Sequence, residues 1–275
     1  MQAYYINLAA RTDRRASMEA RFGALGIVAE RVEALTPAVV TDQQRARYCN
    51  IDAHRWQSEG ELACSLSHAE AMRRFLETDA AFAAIFEDDT ILSPSLGRLL
   101  QEIDRAAPAI DLLRLEADNV RLRLAPQAES TIAGYSLFRL HSAVGGAAGY
   151  IVSRAAAQRI LEGEEILSDP ADEALFNPAG TLSKILVVRQ LDPAFFLQED
   201  RLGTTDESVP AAILRCFVAS VARPMDVTFG DAAVTIFEIS CSAILSPRHI
   251  TSGWRRLRAS ASALSRSNRI NTTNP

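Results

Sequence analysis

Short apolar runs alternate along the chain with longer stretches in which apolar residues recur every three or four positions, a pattern that predicts strands interleaved with helices. The runs fall at residues 3–8 (AYYINL), 27–34, 82–86 (FAAIF), 110–115 (IDLLRL), 135–140, 150–153 and 185–191 (ILVVRQL). A first helix is expected over residues 11–26, with Met18, Phe22 and Leu25 as its buried stripe and Gly26 at its end. A second opens on a capping box made by Ser58 and Glu61 and carries Leu62, Leu66, Ala69, Met72 and Leu76 at near-helical spacing. Ser93 with Pro94, Ser153, and Asp169 with Pro170 open three more. Residues 35–56 have no clean period and read as an irregular segment, a loop over the site. Residues 118–132 read as a polar loop. A run apolar at every position, such as 82–86, suits a strand covered on both faces. The fold class that follows is α/β, with a mostly parallel central sheet flanked by helices.

Beyond Pro210 the rhythm fades, so residues 1–209 read as the main domain and 210–275 as a helical extension. Residues 247–269 set Trp254, Leu257 and Leu264 among Arg248, Arg255, Arg256, Arg258 and Arg266. This is either an interfacial basic helix that meets anionic lipid or a disordered arginine tail.

At 275 residues, with 48% hydrophobic and 23% charged, the composition is that of an ordinary soluble globular protein. The formal net charge of -5 hides an asymmetry. No Asp or Glu follows Glu238 but six arginines do, so residues 1–238 carry 23 minus 34, or -11. An acidic body argues against nucleic acid binding. Cys49, Cys64, Cys216 and Cys241 show neither zinc spacing nor a disulfide-dense pattern and read as reduced core thiols. No signal peptide or membrane-length run is apparent, so a cytoplasmic location is expected, with the tail available for a membrane surface.

The candidate chemistry centres on Glu87, Asp88 and Asp89, which follow the apolar run directly. Ligands gather at the carboxyl ends of such strands. In an extended chain Glu87 and Asp89 would project to one side and Asp88 to the other. No Lys or Arg lies between Arg74 and Arg98, so a divalent ion is the expected relief for their repulsion. Mg²⁺ or Mn²⁺ carried by a nucleotide pyrophosphate takes only one or two protein carboxylates. Alternatively the acids open the following helix, a task Ser93 and Pro94 already perform. Arg11, Arg14 and Arg15 crowd a helix N-terminus, where they would share a phosphate or lie solvated on the surface. His68 reads from its position as a packing residue. Asp172 and Glu173, in the first turn after Asp169-Pro170, have the reach of a general base. Gln198, Glu199 and Asp200 would supply a further ligand or form an exposed loop. The glycines of residues 145–149 do not match a dinucleotide fingerprint, and Ser65 and Ser67 make no nucleophile elbow.

Four stretches in this order, YYINLAARTDRRASMEARFGALGI, GELACSLSHAEAMRRF, AAIFEDDTILSPSL and GGAAGYIVSRAAAQRIL, resemble the family 25 glycosyltransferases. These comprise the lipooligosaccharide-type galactosyltransferases of bacteria and the related collagen galactosyltransferases. DPADEALF and ILVVRQLDPAFFLQ match more faintly, and together the stretches span residues 3–198. The resemblance implies an A-type glycosyltransferase fold and metal-dependent, inverting transfer of a hexose, most typically galactose from UDP-galactose, to a saccharide acceptor. It places metal ligation on Glu87 and Asp89. Donor binding falls on Asn7, Leu8, Arg11, Arg14, Arg15, His68 and Asp88, and the base on Asp172, with Glu173 beside it. The partners implied are a UDP-hexose, Mn²⁺ or Mg²⁺, a lipopolysaccharide-type acceptor and, through the basic tail, inner-leaflet lipid. Two other readings use the same residues. One is a nucleotidyltransferase, although the glycine- and lysine-rich phosphate loop it needs after the first strand is missing. The other is a non-catalytic sugar-nucleotide-binding or membrane-scaffold protein.

Overall fold

A computed structural model describes residues 1–52, 56–116, 122–198, 224–229 and 232–237. Strand β1 (Gln2–Asn7) leads into α1 (Thr12–Ala24) and β2 (Glu30–Glu33). Next come α2 (Asp42–Tyr48), α3 (Glu59–Leu76), β3 (Phe82–Glu87), β4 (Thr90–Leu92), α4 (Leu96–Ala106) and β5 (Leu112–Arg114). The hairpin β6 (Ser130–Ile132) and β7 (Tyr135–Arg139) precedes β8 (Gly149–Ser153) and three helices, α5 (Arg154–Glu162), α6 (Glu165–Ser168) and α7 (Ala171–Phe176). The series closes with β9 (Val188–Asp192), β10 (Phe196–Gln198) and the hairpin β11 (Pro224–Phe229) and β12 (Ala232–Phe237). All of these lie in one compact unit, Met1–Cys241.

An eight-stranded sheet runs in the order β2-β1-β3-β8-β5-β9-β7-β6, and helices cover both of its faces. The sheet is mixed, where a mostly parallel one was expected. β2, β1 and β3 are parallel, as are β5 and β9, but β8 runs antiparallel between β3 and β5, and β7 opposes β9. A strand buried on both faces is apolar whichever way it points, so residues 150–153 could not reveal their direction. Alternate residues of each central strand enter different cores. Tyr4, Ile6, Ala83 and Ile85 meet α3 and α5 on one face; Tyr5, Ala84 and Phe86 meet α1 and α4 on the other.

Local signals account for the helix ends. Ser58 and Glu61 form the expected reciprocal box at the start of α3, and Ser153 Oγ accepts the Ala156 amide of α5. Three expectations are corrected. Residues 35–56 contain α2, which is opened by a Thr41–Gln44 capping box. α4 begins at Leu96, because Ser93 Oγ accepts the Ser95 amide and holds the first turn back. Pro170, with Asp169 before it, occupies the cap of α7. Within residues 210–275 the described part is the β11–β12 hairpin, and the rest of the expected extension, including the basic stretch 247–269, lies outside the described residues. Among the described residues, no helix is long and apolar enough to cross a membrane.

A chain of rings ties the site-bearing elements together. Tyr5 on β1, Phe22 on α1, Phe86 on β3 and Phe196 on β10 pack with successive centroid separations of 5.7, 5.5 and 5.2 Å. Such pairs contribute about 0.5–1.5 kcal/mol each beyond their buried area. The last link requires Gly149, because a Cβ there would enter the Phe196 ring. Gly149→Ala should therefore destabilise the fold by about 1–3 kcal/mol in urea titrations, and Phe196→Leu in the same background should restore part of that loss.

Candidate functional site

The carboxyl ends of β1, β3, β5 and β9 fall on one edge of the sheet. β3 stops at Glu87, and Asp88 and Asp89 form a tight turn into β4, fastened by a Thr90 hydroxyl donating to the Glu87 carbonyl. The two-sided alternation expected for the acids does not hold, since it applies to an extended strand and these residues are in a turn. All three line one cleft.

Their cation comes from 74 residues upstream. Arg14 Nη1 lies 3.0 Å from Asp88 Oδ1 and 3.2 Å from Asp89 Oδ2. A divalent ion was the expected relief because no cation lies nearby in sequence; the fold brings Arg14 to Asp88 and Asp89 from elsewhere in the chain. Asn7 Nδ2 donates to Asp88 Oδ2 at 2.6 Å, and Asn7 Oδ1 accepts from Arg31 Nε at 2.9 Å. One turn of α1 beyond Met18, Arg21 donates to the Thr90 carbonyl at 2.6 Å. The first helix thus holds both sides of the acidic turn. Arg14 meets Asp88 and Asp89 but not Glu87, and Glu87 and Asp89 are the two acids of the cleft that could hold a divalent cation.

Glu87 is reached from two other elements. His68 Nε2 lies 3.3 Å from Glu87 Oε1, and Gln198 Nε2 donates to Glu87 Oε2 at 3.4 Å. His68 is fully buried, and its Nδ1 lies 3.0 Å from the Tyr150 hydroxyl. Burial opposes its charged form, but Tyr150, Cys64 and Glu87 outweigh this and hold the imidazole well above its ordinary range. Burial also pushes the Tyr150 phenol up.

The cleft has a volume of about 420 Å³ and is lined by Leu8, Arg14, Cys64 and His68 together with the three acids, and by residues 34–37. Of the segment 35–56 expected over the site, residues 35–37 line the cleft. Arg11 and Arg15 are not among its lining residues; they pair with Asp13 and Glu19 on the exposed side of α1. Asp172 and Glu173 also stand apart from it. Asp172 Oδ2 accepts the Gly146 amide at 2.8 Å and Oδ1 accepts the Glu173 amide at 2.9 Å, while Glu173 Oε2 accepts from Asn177 at 2.7 Å.

A family model described as glycosyltransferase family 25 (LPS biosynthesis protein) matches residues 1–175. The chain belongs to glycosyltransferase family 25. The lacto-N-neotetraose biosynthesis glycosyltransferase LgtB of Neisseria gonorrhoeae is 31% identical over 210 residues, 72% of this chain and 75% of the relative. LgtE of the same species is 29% identical over 224 residues, covering 75% and 80%. The lipooligosaccharide biosynthesis protein Lex-1 of Haemophilus influenzae is 29% identical over 162 residues, covering 54% and 53%. A solved glycosyltransferase involved in glycosylation of the major capsid of PBCV-1 overlaps 74% of this chain and 93% of its own, at 11% identity and a TM-score of 0.40.

This family 25 transferase also carries a second charged cluster that its sequence did not single out. Arg114 and Glu116 are both fully buried, with Nη2 and Oε2 3.3 Å apart. Arg114 donates to Gln190 Oε1 at 3.2 Å and to the Gly145 carbonyl at 2.9 Å, and Glu116 Oε2 accepts the Ala148 amide at 3.2 Å. Burial lowers the guanidinium pKa, opposed by Glu116 and then Asp172. Gly146 has φ of +87°, and a Cβ there would fall 2.6 Å from Glu116 Oε1, so glycine is required twice over. The Ala148 carbonyl, at the end of this loop, accepts the Glu87 amide at 2.9 Å.

Sequence reasoning missed Cys64, which lines the cleft, and Tyr150, which backs His68 from the core. The signal for Cys64 was its spacing, since Cys64 and His68 are four apart and share one face of α3. Because Arg14 and Asp88 are largely shielded, a double-mutant cycle of Arg14→Met with Asp88→Asn should give a coupling of about 1–2 kcal/mol in unfolding free energy. The same cycle of Arg15→Met with Glu19→Gln, an exposed pair, should give far less.

Proposed function

We propose that this transferase moves galactose from UDP-galactose to a saccharide acceptor of lipopolysaccharide or lipooligosaccharide, with inversion and with the help of Mn²⁺ or Mg²⁺. The observation that carries the proposal is the cleft at the sheet edge, where three carboxylates gather beside Asn7, Leu8, Arg14 and His68. The family's description and the names of the relatives, which speak of lacto-N-neotetraose and lipooligosaccharide, support a saccharide acceptor of this kind. Galactose and the uridine nucleotide rest on the motif resemblance.

In this reading Glu87 and Asp89 would hold the divalent ion, which when bound would offset charge on the departing diphosphate. Asn7 and Arg14 hold Asp88 in place, so the turn keeps its shape when the donor arrives. Arg14 also faces the cleft and presents N–H groups to a phosphate. The acceptor hydroxyl attacks the anomeric carbon opposite the diphosphate. The new C–O bond forms as the old one breaks, UDP leaves, and no covalent intermediate is needed. Asp172 is the proposed recipient of the hydroxyl proton. Its two amide hydrogen bonds, from Gly146 and Glu173, fix the carboxylate in position. The arginine-rich tail would hold the enzyme at the cytoplasmic leaflet, where basic residues meet anionic lipid.

Purified full-length protein, given Mn²⁺, a panel of UDP-sugars and a saccharide acceptor, should release UDP fastest from UDP-galactose. Release from no sugar at all would instead favour a binding or scaffold protein. Asp89→Asn should lower metal-dependent turnover at least about 100-fold with the fold intact. Asp172→Asn should lower kcat by about 10²–10⁴ with donor KM unchanged, and a loss confined to thermal stability would leave Asp172 only the anchoring of Gly146.

A further inference from the structure

The geometry points to a second kind of metal site in the same cleft, a zinc-class site made by Cys64, His68 and Glu87. Among the described residues these three offer ligand atoms that all lie within 4.8 Å of one another. Their separations suit a small ion. Bonds of about 2.0–2.2 Å to nitrogen and oxygen at a tetrahedral centre put those two atoms about 3.4 Å apart. His68 Nε2 and Glu87 Oε1 are 3.3 Å apart already. A side-chain adjustment of about an ångström brings the Cys64 sulfur to its place at about 2.3 Å from the ion.

His68 must give up the proton on Nε2 to bind the ion, as any imidazole ligand does, and its surroundings are otherwise those of a metal-binding histidine. Such a residue ordinarily has its second ring nitrogen held by a hydrogen-bonding group, which sets the ring's orientation. Here the Tyr150 hydroxyl lies 3.0 Å from Nδ1, and the ring is fully buried between α3 and β8. Cys64 and His68 stand one turn apart on a helix that is anchored to the sheet by Ala69, Met72 and Phe75. Because all three donors line the cleft, a fourth coordination position opens into it. Three protein ligands and one open position describe a zinc site that binds water or an incoming ligand.

Donor chemistry separates this site from the one proposed for the sugar donor. Thiolate and imidazole select Zn²⁺ and its relatives, whereas Asp89 with Glu87 suits Mg²⁺ or Mn²⁺. Glu87 belongs to both sets, so the two ions exclude one another and Zn²⁺ would inhibit transfer. That consequence alone rests on the proposed function; the binding of the ion does not.

Cobalt(II) added to the metal-free, full-length protein reports on the site directly. A thiolate-to-cobalt charge-transfer band in the near ultraviolet, with visible bands of tetrahedral intensity, is the expected result, and Cys64→Ser should abolish the charge-transfer band. Competition with a chromophoric chelator should show Zn²⁺ affinity falling at least about tenfold in Cys64→Ser and in His68→Gln. Asp89→Asn should leave both readouts unchanged while losing sugar transfer, so failure of either proposal is seen separately. Absence of the charge-transfer band, or its persistence in Cys64→Ser, would overturn the inference; persistence would place the cobalt on another of the chain's cysteines.

Discussion

A buried strand that ends in three acids cannot leave them to water alone, and the answer to that constraint organises the site edge of the molecule. β3 lies between β1 and β8 with five of its six residues buried, so its tip emerges among neighbouring elements and not into open solvent. Each neighbour sends one polar group. β1 supplies Asn7, α1 supplies Arg14, α3 supplies His68 and β10 supplies Gln198. Hydrogen bonds to charged groups are among the stronger ones, and leaving a shielded carboxylate unmet costs more than making the bond gains. The ring chain from Tyr5 to Phe196 holds the suppliers at the right distance, so packing and polar satisfaction depend on each other.

Much of this was legible in the chain itself. The periodic stripes gave α1 and α3, and the Ser58 and Ser153 caps fixed two helix starts to the residue, because capping chemistry is local. The cleft residues Leu8, Arg14, His68 and the three acids, with Asn7 bonded behind Asp88, were all named from motifs. What escaped notice was long-range or directional. Nothing near the acids in sequence announces Arg14, whose partners are more than 70 residues away. Strand direction left no trace in residues 150–153, and Arg114 with Glu116 looked like the end of an ordinary strand because their pairing depends on neighbours brought in by the fold. α2 was overlooked despite a readable Thr41–Gln44 box, since its few apolar residues make no stripe.

Arg11, Arg14 and Arg15 show how one motif divides its work. On α1 these residues are spread around the helix, so only Arg14 faces the acidic turn, while the other two meet Asp13 and Glu19 in solvent. The cluster that looked costly at a helix N-terminus is relieved residue by residue, each arginine finding a carboxylate. His68 divides differently. It is a packed core residue and a wall of the cleft at once, which is why the two readings of it were compatible from the start.

Strand β8 runs against both of its neighbours, so it begins where they finish. In a sheet of uniform direction, that position at the rim would belong to the departing end of a strand, and the chain leading into it would lie on the far side. Reversing this one strand brings an approaching segment, residues 145–148, up against the acids instead. Its glycines and free peptide groups thereby become part of the rim's own wiring, joining Asp172, Glu116 and Glu87 through a few consecutive backbone units.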